Sequence, residues 1–221
     1  MVRKMIKVEV FLDILCPWCF VGRRRLKSAI DRFEGQVEVG YRAFELDANA
    51  PIHKGLKIDE LLAKKYRVSI EQAREMNSRL AAIGDVEGIS FNFEEMKSTN
   101  SFDALSMMRF LQERGFADQY LDKVMNGYFE AGALISDREY LLEVAGSLLE
   151  EDLGLGGEVF GEENYGAEVR KDEAYAQELG VTGVPFYLFE SKYVITGAQE
   201  ADTFLSALKR VEVLKAETSS N

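Results

Sequence analysis

The chain has 221 residues, enough for one sizeable domain or two modest ones. Its 47% hydrophobic and 29% charged side chains make an ordinary globular composition, with no apolar run approaching the roughly 20 residues of a membrane span. A net charge of −11 repels phosphate backbones and anionic membranes, so nucleic acid and lipid surfaces are poor candidate partners.

Met1-Val2-Arg3-Lys4-Met5 is basic, but the residues after it lack the apolar core and small-residue cleavage site of a signal peptide, which points to the cytosol. Ile6, Val8, Val10, Leu12 and Ile14 alternate with Lys7, Glu9, Phe11 and Asp13, a period of two that predicts a strand. The strand runs directly into Cys16-Pro17-Trp18-Cys19, which holds the only two cysteines of the chain. After this motif the period changes. Cys19, Gly22, Leu26, Ala29, Ile30 and Phe33 recur at helical spacing, making a buried stripe and leaving Arg23, Arg24 and Lys27 toward water.

Two thiols one helical turn apart can close a disulfide or open into a dithiol, which points to redox chemistry. Cys16 falls at the start of the predicted helix, where unpaired N–H groups and the positive end of the helix dipole favour a thiolate. It is the candidate nucleophile. Pro17 suits the first helical position, Trp18 rims the site, and Cys19 is placed to attack a mixed disulfide on Cys16. A structural disulfide across so small a loop would stabilise little. A zinc site needs about four ligands, and two cysteines with the single His53 fall short of that. No metal and no bound cofactor is therefore expected. The thiols of a cytosolic two-cysteine chain are more often catalytic or redox-sensing than structural.

Val37, Val39 and Tyr41 alternate as a second strand within 36–44, and a loop with Pro51, His53 and Gly55 follows. Ile58 to Tyr66 then opens a helical region. Ser69 with Gln72 and Ser136 with Glu139 are capping-box pairs that predict helices over 70–82 and 137–150. Amphipathic stretches predict two more, over 101–114 and 117–130. Met107, Met108 and Met125 sit in these patterns as core filling. Gly154, Gly156, Gly157 and Gly161 lack a following Lys-Ser/Thr pair and read as a connecting loop rather than a phosphate loop. Val169 to Leu179 is amphipathic and stops at Gly180. Pro185 to Glu190 and Lys192 to Thr196 make two short strands around Ser191, and Asp202 to Leu214 is a closing helix. The Arg23–Arg25 and Glu150–Asp152 runs read as solvated faces.

Asp13 before Cys-Pro-Trp-Cys-Phe-Val-Gly at 16–22, Phe44-Glu45-Leu46, Gly183-Val184-Pro185-Phe186, and Tyr-Val-Ile-Thr-Gly-Ala-Gln at 193–199 occur in this order. With these the chain resembles the DsbA-like branch of the thioredoxin superfamily, particularly the FrnE-type thiol–disulfide oxidoreductases. The resemblance implies an α/β fold with a thioredoxin-like sheet and a large all-helical insertion. The division is residues 1–55 and 161–221 as a discontinuous thioredoxin-like domain around a helical domain over 56–160. It also implies that the Val184–Pro185 bond is cis beside Cys16. That would leave the Val184 backbone to pair with an extended partner segment. The partners implied are protein or small-molecule disulfides and dithiols, with glutathione, whose peptide backbone can make the same pairing, among the candidates.

One departure concerns the proton route. Many thioredoxin-like proteins carry a buried acid six residues before the first cysteine; here that position is Val10. Asp13 is the nearby carboxylate, either a turn cap or a group supporting the thiols. The alternative reading is a glutathione-dependent transferase or isomerase of the kappa type. That group usually has a serine at the first active-site position and lacks the second thiol.

Overall fold

A computed structural model describes residues 5–50, 57–150, 156–161 and 163–218. His53 and Gly154 lie outside the described residues. The alternating stretch forms strand β1 (Ile6–Leu12), followed by helix α1 (Pro17–Asp31) and strand β2 (Val37–Ala43). β1 and β2 are parallel, with Ile6 opposite Val37, Val8 opposite Val39 and Val10 opposite Tyr41. A parallel pair needs a crossover, and α1 supplies it.

Six helices come next: α2 (Ile58–Tyr66), α3 (Ile70–Val86), α4 (Phe102–Gln112), α5 (Ala117–Ala131), α6 (Arg138–Leu149) and the short α7 (Gly156–Val159). Helix α8 (Tyr165–Glu178) then leads back to strands β3 (Phe186–Phe189) and β4 (Tyr193–Thr196), and α9 (Ala201–Thr218) follows. The sheet order is β2-β1-β3-β4, with β3 antiparallel to both neighbours. This is a thioredoxin-like sheet interrupted by a helical insertion, as the sequence implied.

Several boundaries and caps differ from expectation. Ser69 makes the reciprocal capping box with Gln72, but α3 continues to Val86. The second expected box does not form. Asp137 caps α6 by accepting from the Glu139 N–H at 2.9 Å, while Ser136 accepts from the Thr99 hydroxyl at 2.7 Å. Asp and Ser cap about equally well, and here Ser136 is engaged by Thr99 from a neighbouring segment, which leaves the cap to Asp137. α8 begins at Tyr165, one turn earlier than its apolar stripe suggests, and Gly180 follows it with φ +71°. The glycine-rich stretch carries a one-turn helix rather than a plain loop.

Period two holds only for part of β1. Ile6, Val8 and Val10 face α1 and α9, on the side where Tyr187 packs against Phe204 at 4.6 Å between ring centroids. Phe11 points the other way yet is fully buried. It packs with Tyr175 of α8 and with Phe186, each at 5.7 Å, beside Ala176 and Leu188. Helix α8 thus covers the second face at the end where β1 approaches the cysteines. On the first face, Phe20 of α1 stacks on Phe129 of α5 at 5.7 Å, so one core runs from the sheet through α1 into the inserted helices. Met107, Met108 and Met125 are fully buried within it. Among the described residues no helix is long and apolar enough to cross a membrane.

Candidate functional site

Cys16 stands immediately before α1, as its N-cap, at the helix start the sequence predicted. Its extended backbone (φ −89°, ψ 110°) is what that position requires, and Pro17 takes the first helical position, where its missing N–H removes an unsatisfied donor. The turn is fixed by the Cys16 N–H donating to the Asp13 carbonyl at 3.1 Å. The Cys16 carbonyl in turn accepts from the Cys19 and Phe20 N–H groups at 3.0 and 3.3 Å.

Both cysteines are free thiols. Cys16 is 4% exposed, Cys19 is fully buried, and Trp18 between them is 42% exposed. Burial, with the neighbouring Cys16 thiol, pushes the Cys19 thiol well above its ordinary pKa. The pair is therefore asymmetric: Cys16, 4% exposed, stands at the helix start, and Cys19 is fully buried and held protonated.

The Val184–Pro185 bond is cis, and the Cys16 thiol donates to the Val184 carbonyl at 3.7 Å. The β1–β3 ladder starts at Phe186, so Val184 precedes the paired region. The Pro185 carbonyl accepts from the Gly197 N–H at 2.8 Å, which ties this turn to the far end of β4. The structure thus brings together Cys16, Pro17, Cys19, Val184 and Pro185 from opposite ends of the chain, with Trp18 at the rim.

Asp13 takes the capping role of its two alternatives. One carboxylate oxygen accepts from the Leu15 N–H at 3.0 Å and the other from the Leu46 N–H at 2.7 Å, so the group pins the approach to Cys16 onto the loop after β2. It is also buried close to Cys19. Desolvation holds its pKa above the ordinary carboxylate value, although these N–H donors and the Ser101 hydroxyl oppose that rise. Nearby Glu45, buried beside Arg170, is likewise raised by desolvation.

The expectation that Arg23–Arg25 form a solvated face is wrong. Arg23 and Arg25 are 5% and 8% exposed. Arg23 lies over the Tyr41 ring and reaches the Asp118 and Asp122 carboxylates at 2.7 and 3.2 Å, and Tyr41 also bonds Asp118. Arg25 pairs with Glu87 at 2.7 Å and donates to the Ala198 carbonyl at 2.8 Å. These partners come from α5 and from loops distant in sequence, which is why helical periodicity could not reveal them. Burial opposes the charge on Arg23, but Tyr41, Asp118 and Asp122 outweigh it and raise its pKa. Lys27, as expected, is half-exposed.

Residues 7–209 match the model of the DSBA-like thioredoxin domain. The chain belongs to that family. It is 26% identical to the uncharacterized protein YwbO of Bacillus subtilis (strain 168), over 92% of this chain and 96% of the relative. Among solved structures it is similar to a probable DsbA oxidoreductase from Streptomyces coelicolor. That likeness has 33% identity and a TM-score of 0.81, and it covers 93% of this chain and 89% of the other. It also shares its fold with the cytosolic disulfide reductase DsbM from Pseudomonas aeruginosa, at 17% identity and a TM-score of 0.62, covering 94% and 99% of the two chains.

One residue beside the two thiols is not marked out by the sequence pattern. Tyr187, read only as part of an apolar strand, buries its hydroxyl against α1 at Gly22, where the Pro185 ring also approaches. The available signal was a hydroxyl in the otherwise apolar Phe-Tyr-Leu-Phe run. Among the described residues, no group of three or more His, Cys, Asp or Glu side chains is disposed to hold a metal ion.

Proposed function

We propose that this chain exchanges disulfides with protein or small-molecule partners through Cys16 and Cys19, as a DsbA-like thiol–disulfide oxidoreductase. The observation that carries the reading is the Cys16 thiol at the N-terminus of a 15-residue helix, 3.7 Å from the Val184 carbonyl, with a second, fully buried thiol one turn inside.

In the reducing direction, the Cys16 thiolate attacks a partner disulfide, forming a Cys16–partner bond as the partner's own S–S bond breaks. Cys19 then loses its proton and attacks the Cys16 sulfur. The second partner sulfur leaves as a thiol, and the Cys16–Cys19 pair is left oxidised. The oxidising direction is the same sequence reversed. Val184 supports the bound partner by offering backbone pairing beside the sulfur, Pro185 shapes that edge, Pro17 sets the helix entry, and Trp18 gives the partner an apolar rim.

We place the activity in the cytoplasm, and we include glutathione among the small-molecule partners. The proposed division is a thioredoxin-like unit of residues 1–55 and 161–221 around a helical unit of 56–160. The position of all four described strands outside that interval supports it. The FrnE-type likeness rests on the same motifs.

Insulin-disulfide reduction and reoxidation of a reduced test protein check the function. Turnover should vanish in Cys16→Ser, and Cys19→Ser should accumulate mixed disulfides. Unchanged turnover in Cys16→Ser would sink the reading. Glutathione conjugation or isomerisation without dithiol cycling would instead favour the kappa-type alternative.

A further inference from the structure

Among the described residues, Tyr187 carries the only buried side-chain hydroxyl without a hydrogen-bond partner. The residue is fully buried, so this hydroxyl has given up water and received nothing in return. Such a group calls for an explanation, and its position offers one.

Cys16, Cys19 and Gly22 follow one another at three-residue intervals, so they lie along one face at the start of α1. The Tyr187 hydroxyl fills the space that a side chain on Gly22 would take, with the Pro185 ring 3.2 Å from the same point. A Cβ on a helix leans toward its N-terminus. The hydroxyl therefore sits on the Cys19 side of Gly22, and both Cys19 and Cys16 act on it electrostatically.

The titratable and charged groups around the two residues come from every packed element. Asp13 follows β1, Cys16 and Arg23 belong to the start of α1, Tyr41 lies on β2 and Tyr187 itself on β3. Arg23 and Tyr41 are committed to Asp118, and Asp13 accepts from two backbone N–H groups. Of these groups only Arg23 keeps a second uncommitted donor, its buried Nε.

We propose that the Tyr187 hydroxyl is a hydrogen-bond donor held in reserve for the Cys19 sulfur. It engages that sulfur directly or through one water as negative charge develops there during release of the bound partner. This rests on the dithiol function proposed above. In the step concerned, the S–S bond between Cys19 and Cys16 forms as the bond between Cys16 and the partner sulfur breaks. The Cys19 proton ends on the departing sulfur; Cys19 is oxidised and the partner sulfur reduced. Tyr187 keeps its own proton throughout, because burial and the neighbouring thiols hold its phenol far above the ordinary tyrosine value.

The test uses the reduced full-length protein with an aromatic disulfide, 5,5′-dithiobis(2-nitrobenzoate), followed by stopped flow across a pH series. Attack by Cys16 releases the first coloured thiolate, and capture by Cys19 releases the second. Tyr187→Phe should leave the first phase within about twofold of wild type. The second phase should slow by about tenfold or more at neutral pH, with its pH profile displaced to higher pH, the scale expected for one hydrogen bond to a charged group. The thermal midpoint of the reduced variant should equal or exceed that of wild type, because the hydroxyl is unpaired at rest.

A second phase within about twofold of wild type with the same pH profile would overturn the proposal. So would a lowered thermal midpoint, since it would mean the hydroxyl is already bonded in the resting state. Absence of the first phase in wild type would instead remove the dithiol function on which the proposal stands, an outcome separate from any change confined to the second phase.

Discussion

Gly22 and Tyr187 share one side-chain volume: the phenol hydroxyl occupies the place a Cβ on residue 22 would need. The next neighbours of that point, the Pro185 Cγ and the Ala198 Cβ, stand at 3.2 and 3.4 Å. Gly22→Ala should therefore destabilise by about 1–3 kcal/mol through overpacking. Adding Tyr187→Phe should recover most of the loss, because the tightest contact goes with the oxygen. Urea denaturation of the four-membered cycle reads the coupling directly; strictly additive effects would contradict the shared volume.

Arg23 is the internal clamp between α1, β2 and α5. Arg23→Leu leaves Asp118 and Asp122 without their buried cation, at an expected loss of about 3 kcal/mol at neutral pH. This is the low end for a broken ion pair, because the Asp118 side chain is 48% exposed and can rehydrate. Burial tends to raise the Asp118 pKa, but Arg23 and the bond from Tyr41 pull it below the ordinary value. A depressed carboxylate stabilises the fold above its unfolded pKa and loses that contribution as pH falls through the folded value. The stability gap between wild type and Arg23→Leu should thus narrow below about pH 4, and denaturation in acid series would show it.

Asp13 has the opposite sign. Its pKa is raised, so its stabilising contribution is complete below the unfolded value and is lost as pH climbs through the folded one. Asp13→Asn replaces one of two backbone-accepting oxygens with an NH2, leaving a part-buried N–H unpaired at about 1 kcal/mol, the low end for a lost partner. Because only wild type gains from protonation, its advantage over Asp13→Asn should be larger at about pH 4 than at neutral pH, as measured by chemical denaturation.

Trp18 projects from the rim, so its removal tests partner capture with little effect on folding. Trp18→Ala should change stability by less than about 0.5 kcal/mol. It should raise KM for a protein disulfide about fivefold or more while leaving kcat nearly unchanged. A fall in kcat alone would contradict a role in capture.

Ser69 caps α3 away from the thiols, bonding the Gln72 N–H at 3.2 Å while Gln72 bonds back to the Ser69 N–H at 2.9 Å. Ser69→Ala should cost about 1 kcal/mol. Amide exchange should increase in the first turn of α3 with turnover unaffected.

The strand, the helix it feeds and the two cysteines were legible because each rests on local periodicity and spacing. The fold and the cis turn at Val184–Pro185 came from resemblance, since no local rule brings residue 184 to residue 16. Burial was misread where it depends on distant partners. Phe11 is covered by α8, and Arg23 and Arg25 are neutralised by carboxylates from other elements; a period of two or 3.6 registers neither. Ser136 lost its capping role to its neighbour Asp137 because two adjacent residues could both serve, and only packing decides between them. Tyr187 stayed hidden because its hydroxyl matters through a glycine on another element.

The carbonyl that meets the Cys16 thiol belongs to a residue 168 positions further along the chain. During vectorial synthesis a ribosome displays both sulfurs long before Val184 leaves the exit tunnel. The emerging N-terminal segment then carries both thiols without the Val184 carbonyl beside Cys16. The contact between the Cys16 thiol and the Val184 carbonyl can therefore form only after residue 184 has been made, so any property that needs both waits for β1, α1 and the inserted helices to be synthesised first.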